Sequence, residues 1–331
     1  MIRHLSRRHF IQHLGAGSGL ALVPHARGSL FRPRPRVAAV FTEFRFRSHA
    51  YDILENFFSP YLFRGQLHDP GVDVVSFYAD QFPDQDMAVK ASRDHHVPLY
   101  DSIDKALCQG GTRLDVDAVL LIGEHGDYPI NARGQKMYPR KQFFDQCVEV
   151  MLRSGRFVPL FNDKHLSYSF DKALAMVEHS RRLGFPMLAG SSLPVTWRMP
   201  EMEIPLGAPI SEAIAIDPST SLDSSGFHSL EAMQCLAERR QGGETGVKSV
   251  RGLRGDSVWQ AMDEGAWDPA LFEACLCRSL SLKPADETHR HTYPTREELP
   301  GLLGRDAIAY QIEYLDGLRA TMLLMEGLKQ D

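Results

Sequence analysis

Over the first two thirds of the chain, short runs of branched and apolar residues alternate with longer segments of helical period. Val37–Phe41 reads as a strand, and Ser48–Phe58 as a helix with Tyr51, Leu54 and Phe58 along one face. Gly71–Tyr78 is a second strand, Met87–His95 a second helix, and Val97–Tyr100 a third strand followed by a short helix from Asp104. Val116–Ile122 is almost wholly apolar, the pattern of a central parallel strand covered on both faces. Lys141–Arg153 then reads as a helix, Phe157–Phe161 as a strand, Phe170–Leu183 as a helix and Pro186–Ala189 as a strand. Strands separated by helices of this length need crossover connections, so the pattern predicts an α/β fold with a Rossmann-like, doubly wound parallel sheet.

After Pro194 the pattern changes. Ala213–Ile216 and Val247–Leu253 read as strands and His228–Arg239 as a helix, while Ile308–Tyr314 and Leu318–Leu324 flank Leu315-Asp316-Gly317 as a hairpin. The second half is therefore expected to be a smaller α+β domain. Gly190-Ser191-Ser192-Leu193-Pro194 reads as the hinge, which gives a nucleotide-binding-type domain over 37–194 and a substrate or oligomerisation domain over 195–331.

A length of 331 residues suits about two domains, and 43% hydrophobic with 24% charged residues is the composition of a globular protein. The net charge of -5, with both signs interspersed, offers no basic stripe for a nucleic-acid backbone. The five cysteines form no C-x-x-C pair, and Cys275 and Cys277 sit in the apolar run Leu271–Leu280, where core packing is the expected role. At the amino terminus, Ser6-Arg7-Arg8-His9-Phe10-Ile11 precedes a short apolar run from Leu14 to Val23. It resembles a twin-arginine export signal over 1–26, cut after Ala26, and the run is too short to span a bilayer. Residues 27–36 read as a proline-containing linker, and the expected compartment is the periplasm or beyond.

The stretches Val97–Asp101, Asp115–Ile122, Ser154–Val158 and Asp163-Lys164-His165, in that order, resemble the Gfo/Idh/MocA oxidoreductase family. So does Leu222–Glu231, with Asp223, Gly226 and His228 standing close to that family's Asp-x-Gly-x-His segment. The resemblance implies oxidation of a sugar or cyclitol with NAD or NADP, in a homo-oligomer formed through the second domain. It further implies that Lys164 and His228, with Asp223, face the substrate beside the nicotinamide. Family members carry a longer terminal sheet than the one expected after Gly317.

The first strand is followed by Phe41-Thr-Glu43-Phe-Arg-Phe46 rather than G-x-G-x-x-G, so Phe41, Glu43 and Phe46 are expected to fill the space where backbone N–H groups would cradle a pyrophosphate. A nucleotide would then need a different loop, and Thr42, Arg45, Asp80, Glu124 and Asp163 are the positions expected to face it. The loop Gly123-Glu124-His125-Gly126-Asp127-Tyr128 closes the central strand, and Glu124, His125 and Asp127 are candidates for acid and base roles there. His95, His96, His289 and His291 lie in polar stretches and read as incidental. Ser191 and Ser192 lack a G-x-S-x-G context, which weakens a hydrolase reading. Three functions are consistent with these residues: a nicotinamide oxidoreductase, a cofactor-independent or metal-assisted lyase or epimerase, and a sugar-binding protein that keeps only the fold.

Overall fold

The computed structural model describes residues 33–196, 198–199, 201–219, 221–278 and 294–328. The export-signal segment, linker residues 27–32, and His289 and His291 lie outside the described residues. The chain divides into two compact units, one through Gly190 and one from Ser191.

The first unit is built on β1 (Arg36–Phe41), β4 (Asp73–Ala79), β5 (Leu99–Tyr100), β6 (Ala118–Ile122), β7 (Leu160–Asp163) and β8 (Met187–Gly190). They form one parallel sheet in the order β5-β4-β1-β6-β7-β8. This is the doubly wound Rossmann arrangement, whose order reverses between β1 and β6. Among the described residues, five helices flank the sheet: α1 (His49–Phe58), α2 (Ala88–Asp94), α3 (Ile103–Leu107), α4 (Arg140–Ser154) and α5 (Phe170–Leu183). Side chains alternate along the central strands. Ala38, Val40, Val119 and Leu121 pack with Leu107, Phe144 and Met151 of α3 and α4. Val37, Ala39, Phe41, Leu120 and Ile122 pack with Leu54 and Ala88 of α1 and α2. Both faces are covered, which is why these strands are apolar without interruption.

Local chemistry fixes where the elements start and stop. Ser48 caps α1, its hydroxyl accepting from the Tyr51 N–H. Gly155 and Gly184 end α4 and α5 in left-handed backbone, with φ of 64° and 75°. Prolines shorten two expected strands: Pro98 cannot donate to the ladder and β5 keeps two residues, and β7 begins only after Pro159 and runs on to Asp163. A small hairpin absent from the sequence pattern, β2 (Tyr61–Phe63) and β3 (Gln66–His68), turns on Arg64 and Gly65, both at positive φ.

The second unit carries a mixed sheet of β9 (Glu212–Asp217), β10 (Val247–Arg254), β11 (Ile308–Tyr314) and β12 (Arg319–Leu324), in the order β10-β11-β12-β9. β10, β11 and β12 run antiparallel, and β9 pairs parallel with β12. A π-helical turn over Leu222–Gly226 leads into α6 (Phe227–Ala237), whose Met233 and Ala237 pack with Met322 and Leu324. On the other face, α7 (Asp256–Asp263), α8 (Pro269–Leu276) and α9 (Leu299–Leu303) bring Trp259, Phe272 and Leu303 against Ala309 and Leu323. Each such fully buried side chain contributes on the order of 1.5–3 kcal/mol. Among the described residues no helix is long and apolar enough to cross a membrane.

Candidate active site

The carboxyl ends of β1, β6 and β7 lie side by side, the edge at which open α/β sheets place ligands. Thr42, directly after β1, donates its backbone N–H to the Ile122 carbonyl at 3.2 Å and its hydroxyl to the Glu124 carbonyl. Both bonds cross the point where strand order reverses.

Glu124 follows β6 and is buried between two cations. Lys164 Nζ lies 2.9 Å from Glu124 Oε1, and Arg140 donates to Glu124 Oε2. The three side chains are at most 3% exposed. Burial alone would raise the Glu124 carboxyl, but the charges of Arg140 and Lys164 outweigh it and hold the group below the ordinary carboxylate range. Gly123 makes room for this arrangement, since a Cβ there would stand 2.6 Å from Arg140 Cγ. Arg140 also lies over the Tyr138 ring at 4.8 Å, and its Nη1 is 3.2 Å from His165 Nε2. Burial, then the Arg140 charge, push the His165 imidazole down to about 3.

Lys164 itself sits just beyond β7 in left-handed backbone, φ 59°, with its N–H on the Gly190 carbonyl at 3.0 Å. His125, three residues beyond the end of β6, is also left-handed, φ 70°. Arg45 Nη2 lies 3.2 Å from His125 Nδ1 while Arg45 Nε donates to Glu43 Oε1 at 2.6 Å. A guanidinium can only donate, so Nδ1 of His125 accepts and its proton is on Nε2. That Nε2 is buried and has no hydrogen-bond partner among the described residues. Burial, then the neighbouring charges of His49 and Arg45, keep the His125 pKa below its ordinary value.

His49, the first residue of α1, places Nδ1 2.6 Å from Asp163 Oδ2 at the end of β7. The carboxylate is 5% exposed and the imidazole 24%. The rings of His49 and His125 meet edge to face, 5.2 Å between centroids. Asp80, after β4, accepts from the Tyr78 and Tyr128 hydroxyls at 2.8 and 2.7 Å. Burial and this carboxylate raise the Tyr128 phenol. Gln81 and the Asp127 backbone exchange two hydrogen bonds, which ties the loop after β6 to the end of β4.

Of the residues singled out from the sequence, Thr42, Arg45, Asp80, Glu124, His125, Asp163 and Lys164 thus stand on the strand ends of the first unit. His228 belongs to the second unit, where its Nδ1 lies 2.6 Å from Ser191 Oγ; Glu231 accepts from the Ser191 N–H. The side chain of Asp223 lies outside the described residues. The site also contains His49, Arg140 and His165, which no sequence motif marks as site residues. His49 directly follows a helix-capping serine, and His165 follows Lys164, so adjacency was the available signal.

The turn after β1 differs from expectation in detail. Phe41 is the last residue of the strand and packs in the core with Phe77 at 5.4 Å, and Phe46 is 61% exposed, so neither fills a phosphate space. Thr42 and Glu43 occupy that position instead. With the Thr42 hydroxyl spanning the crevice and the Glu43 carboxylate buried there, the turn does not fit a dinucleotide held in the usual way. Among the described residues no group of three or more His, Cys, Asp or Glu side chains is placed to hold a metal ion.

No protein-family model matches the chain, and no curated protein matches its sequence. Among solved structures it is similar to GenD2 of gentamicin A biosynthesis in complex with NAD, at 14% identity and TM-score 0.49, covering 94% of this chain and 70% of that one. It is similar also to apo scyllo-inositol dehydrogenase from Lactobacillus casei, at 10% identity and TM-score 0.47, covering 87% and 67%. A Bordetella bronchiseptica RB50 structure is 14% identical with a TM-score of 0.47 over 89% of this chain, and the chain spans only 61% of that protein's length. At these TM-scores the fold assignment rests on the strand order and the crossovers, which are those of the Rossmann-like class.

Proposed function

We propose that this chain is a sugar- or cyclitol-directed enzyme on an oxidoreductase fold, with its site at the carboxyl edge of β1, β6 and β7. One observation carries the reading. Lys164 is held in left-handed backbone at the end of β7 with its ammonium 2.9 Å from the buried Glu124 carboxylate. A non-glycine residue in that conformation costs about 1–3 kcal/mol and persists where its surroundings over-determine it, as at ligand sites. An ammonium that gives one N–H to Glu124 has two more donors, which suits the oxygen atoms of a polyol.

Ligand-observed NMR with D-fructose, D-tagatose and 2-keto-myo-inositol tests this directly. Binding of at least one, weakened tenfold or more in folded Lys164→Met, supports the reading; binding of none overturns it.

The oxidative form of the reading takes NAD or NADP, and the strand order favours it, because the reversal between β1 and β6 is where such folds hold a dinucleotide. The Thr42 and Glu43 side chains oppose it, and no step is derived through that cofactor. Native mass spectrometry of protein purified from a cytoplasm decides between the two. NAD or NADP released on denaturation establishes the oxidative form. No nucleotide, and no mass shift on adding either one, leaves the cofactor-free form. The twin-arginine-type segment makes the periplasm the proposed compartment, and cell fractionation tests it.

A further inference from the structure

A cavity of about 420 Å³ opens in the first unit between the first turns of α4 and α5, within the range of roughly 300–1,000 Å³ typical of small-molecule sites. Further along, the two helices meet where the Phe144 and His179 rings stack, 6.4 Å between centroids. The two walls are alike. Each carries a tyrosine two residues before its helix, Tyr138 and Tyr168, and each adds one lysine and one aspartate, Lys141 with Asp145 on α4 and Lys172 with Asp171 on α5. Both ammonium groups are engaged. Lys141 Nζ lies 2.5 Å from Asp145 Oδ2, while Lys172 Nζ stands 4.5 Å from the centre of the Tyr168 ring and donates to its hydroxyl. The Asp171 carboxylate and the Gln142 amide are exposed, line the same cavity, and have no hydrogen-bond or ion-pair partner among the described residues.

We infer that this cavity binds a small uncharged saccharide, at a place distinct from the strand ends and on grounds that do not rest on the reading above. The lining decides the class. Its two lysines and two aspartates sum to zero charge, and each lysine already has a partner, so an anion would meet no spare counter-ion and would face Asp171. A cation would face Lys172. A hydrocarbon would strip water from Asp171 and Gln142 and return no hydrogen bond to either. An uncharged sugar meets both needs. Asp171 accepts from its hydroxyls, the Gln142 amide both donates and accepts, and the C–H faces of the ring rest against the carbon of Tyr138 and Tyr168. Ala175, the smallest side chain of the lining, leaves the room for it on α5.

Saturation-transfer NMR on the full chain tests this with D-glucose, D-galactose, maltose and cellobiose, and phosphorus NMR with inorganic phosphate. At least one sugar is expected to bind. Its affinity should fall roughly tenfold in Asp171→Ala, the worth of one hydrogen bond to a charged group, and binding should disappear in Ala175→Phe, which fills the cavity without removing a polar group. Melting temperatures close to the parent's show that both variants are folded, and Lys164→Met should bind the sugar as the parent does. Binding of none of the four, or binding unchanged in both cavity variants, overturns the inference. So does a sugar lost in Lys164→Met and kept in Asp171→Ala, which would place it at the strand ends. Phosphate bound in preference to every sugar overturns the neutral class and the inference with it. The strand-end reading is decided separately, by the ketose and keto-inositol titration.

Discussion

Lys164 and Arg140 share a single carboxylate, Glu124, and all three side chains are out of contact with water. Breaking a buried pair by deleting one partner costs about 3–5 kcal/mol, because it strands the charge left behind. Glu124→Ala strands two cations and is expected to cost at least this much in urea unfolding at pH 7. Lys164→Met leaves Glu124 still paired with Arg140 and should cost clearly less. Equal losses in the two variants would show that the three groups do not form one network.

Gly123→Ala should act on the same network from a distance of one residue. The new Cβ would meet Arg140 Cγ at 2.6 Å, too close for a side chain with no room to retreat. Overpacking of this kind costs roughly 1–3 kcal/mol. A melting temperature equal to that of the parent would mean that Arg140 has an alternative seat.

His96→Gly is expected to stabilise the chain. His96 is exposed and follows α2 at φ 55°, whereas the stacking on Phe58 belongs to its neighbour His95. Relieving a left-handed non-glycine residue contributes about 1 kcal/mol, offset in part by the greater freedom of glycine in the unfolded chain. A loss of stability would indicate a contact made by the His96 ring.

Stability should fall as the solution is acidified below pH 6.5. His165 is depressed from 6.5 to about 3 in the fold, so between those values the unfolded chain takes up a proton that the folded chain refuses. The stability present above pH 6.5 is therefore lost progressively down to about pH 3. His125, also depressed, adds to the same slope. At about 1.4 kcal/mol per pH unit, His165 alone accounts for roughly 2–3 kcal/mol at pH 4.5. Unfolding of His165→Gln across pH 7 to 4.5 should show a visibly shallower dependence, and an unchanged slope would assign the acid sensitivity elsewhere.

Much of the first unit is legible in the sequence because both faces of its sheet are covered. Val37–Phe41 and Val116–Ile122 have no polar face to confuse their period, and α5 was readable from Phe170 to Leu183 by its amphipathic stripe and its terminal glycine. The second unit is less legible. α7, α8 and α9 are five to eight residues long, held by tryptophan and leucine packing rather than by a repeated stripe. The site was half legible. Glu124, His125 and Lys164 stand out as polar residues just past apolar strands, where the fold puts ligands. Their partners do not: His49 meets Asp163 across 114 positions, and Arg140 looks like any residue opening a helix. No local pattern encodes a pairing made only by the crossovers.

The charges at that edge arrive already neutralised. Arg45 is matched by Glu43, and the two cations Arg140 and Lys164 are matched by the two carboxylates Glu124 and Asp163. A phosphorylated sugar would bring its negative charge to an edge with no spare counter-ion, shedding water without gaining a salt link in return. An uncharged sugar pays no such penalty. On the polyol reading proposed above, these resting pairings are expected to disfavour phosphate esters before any hydroxyl of the ligand is read.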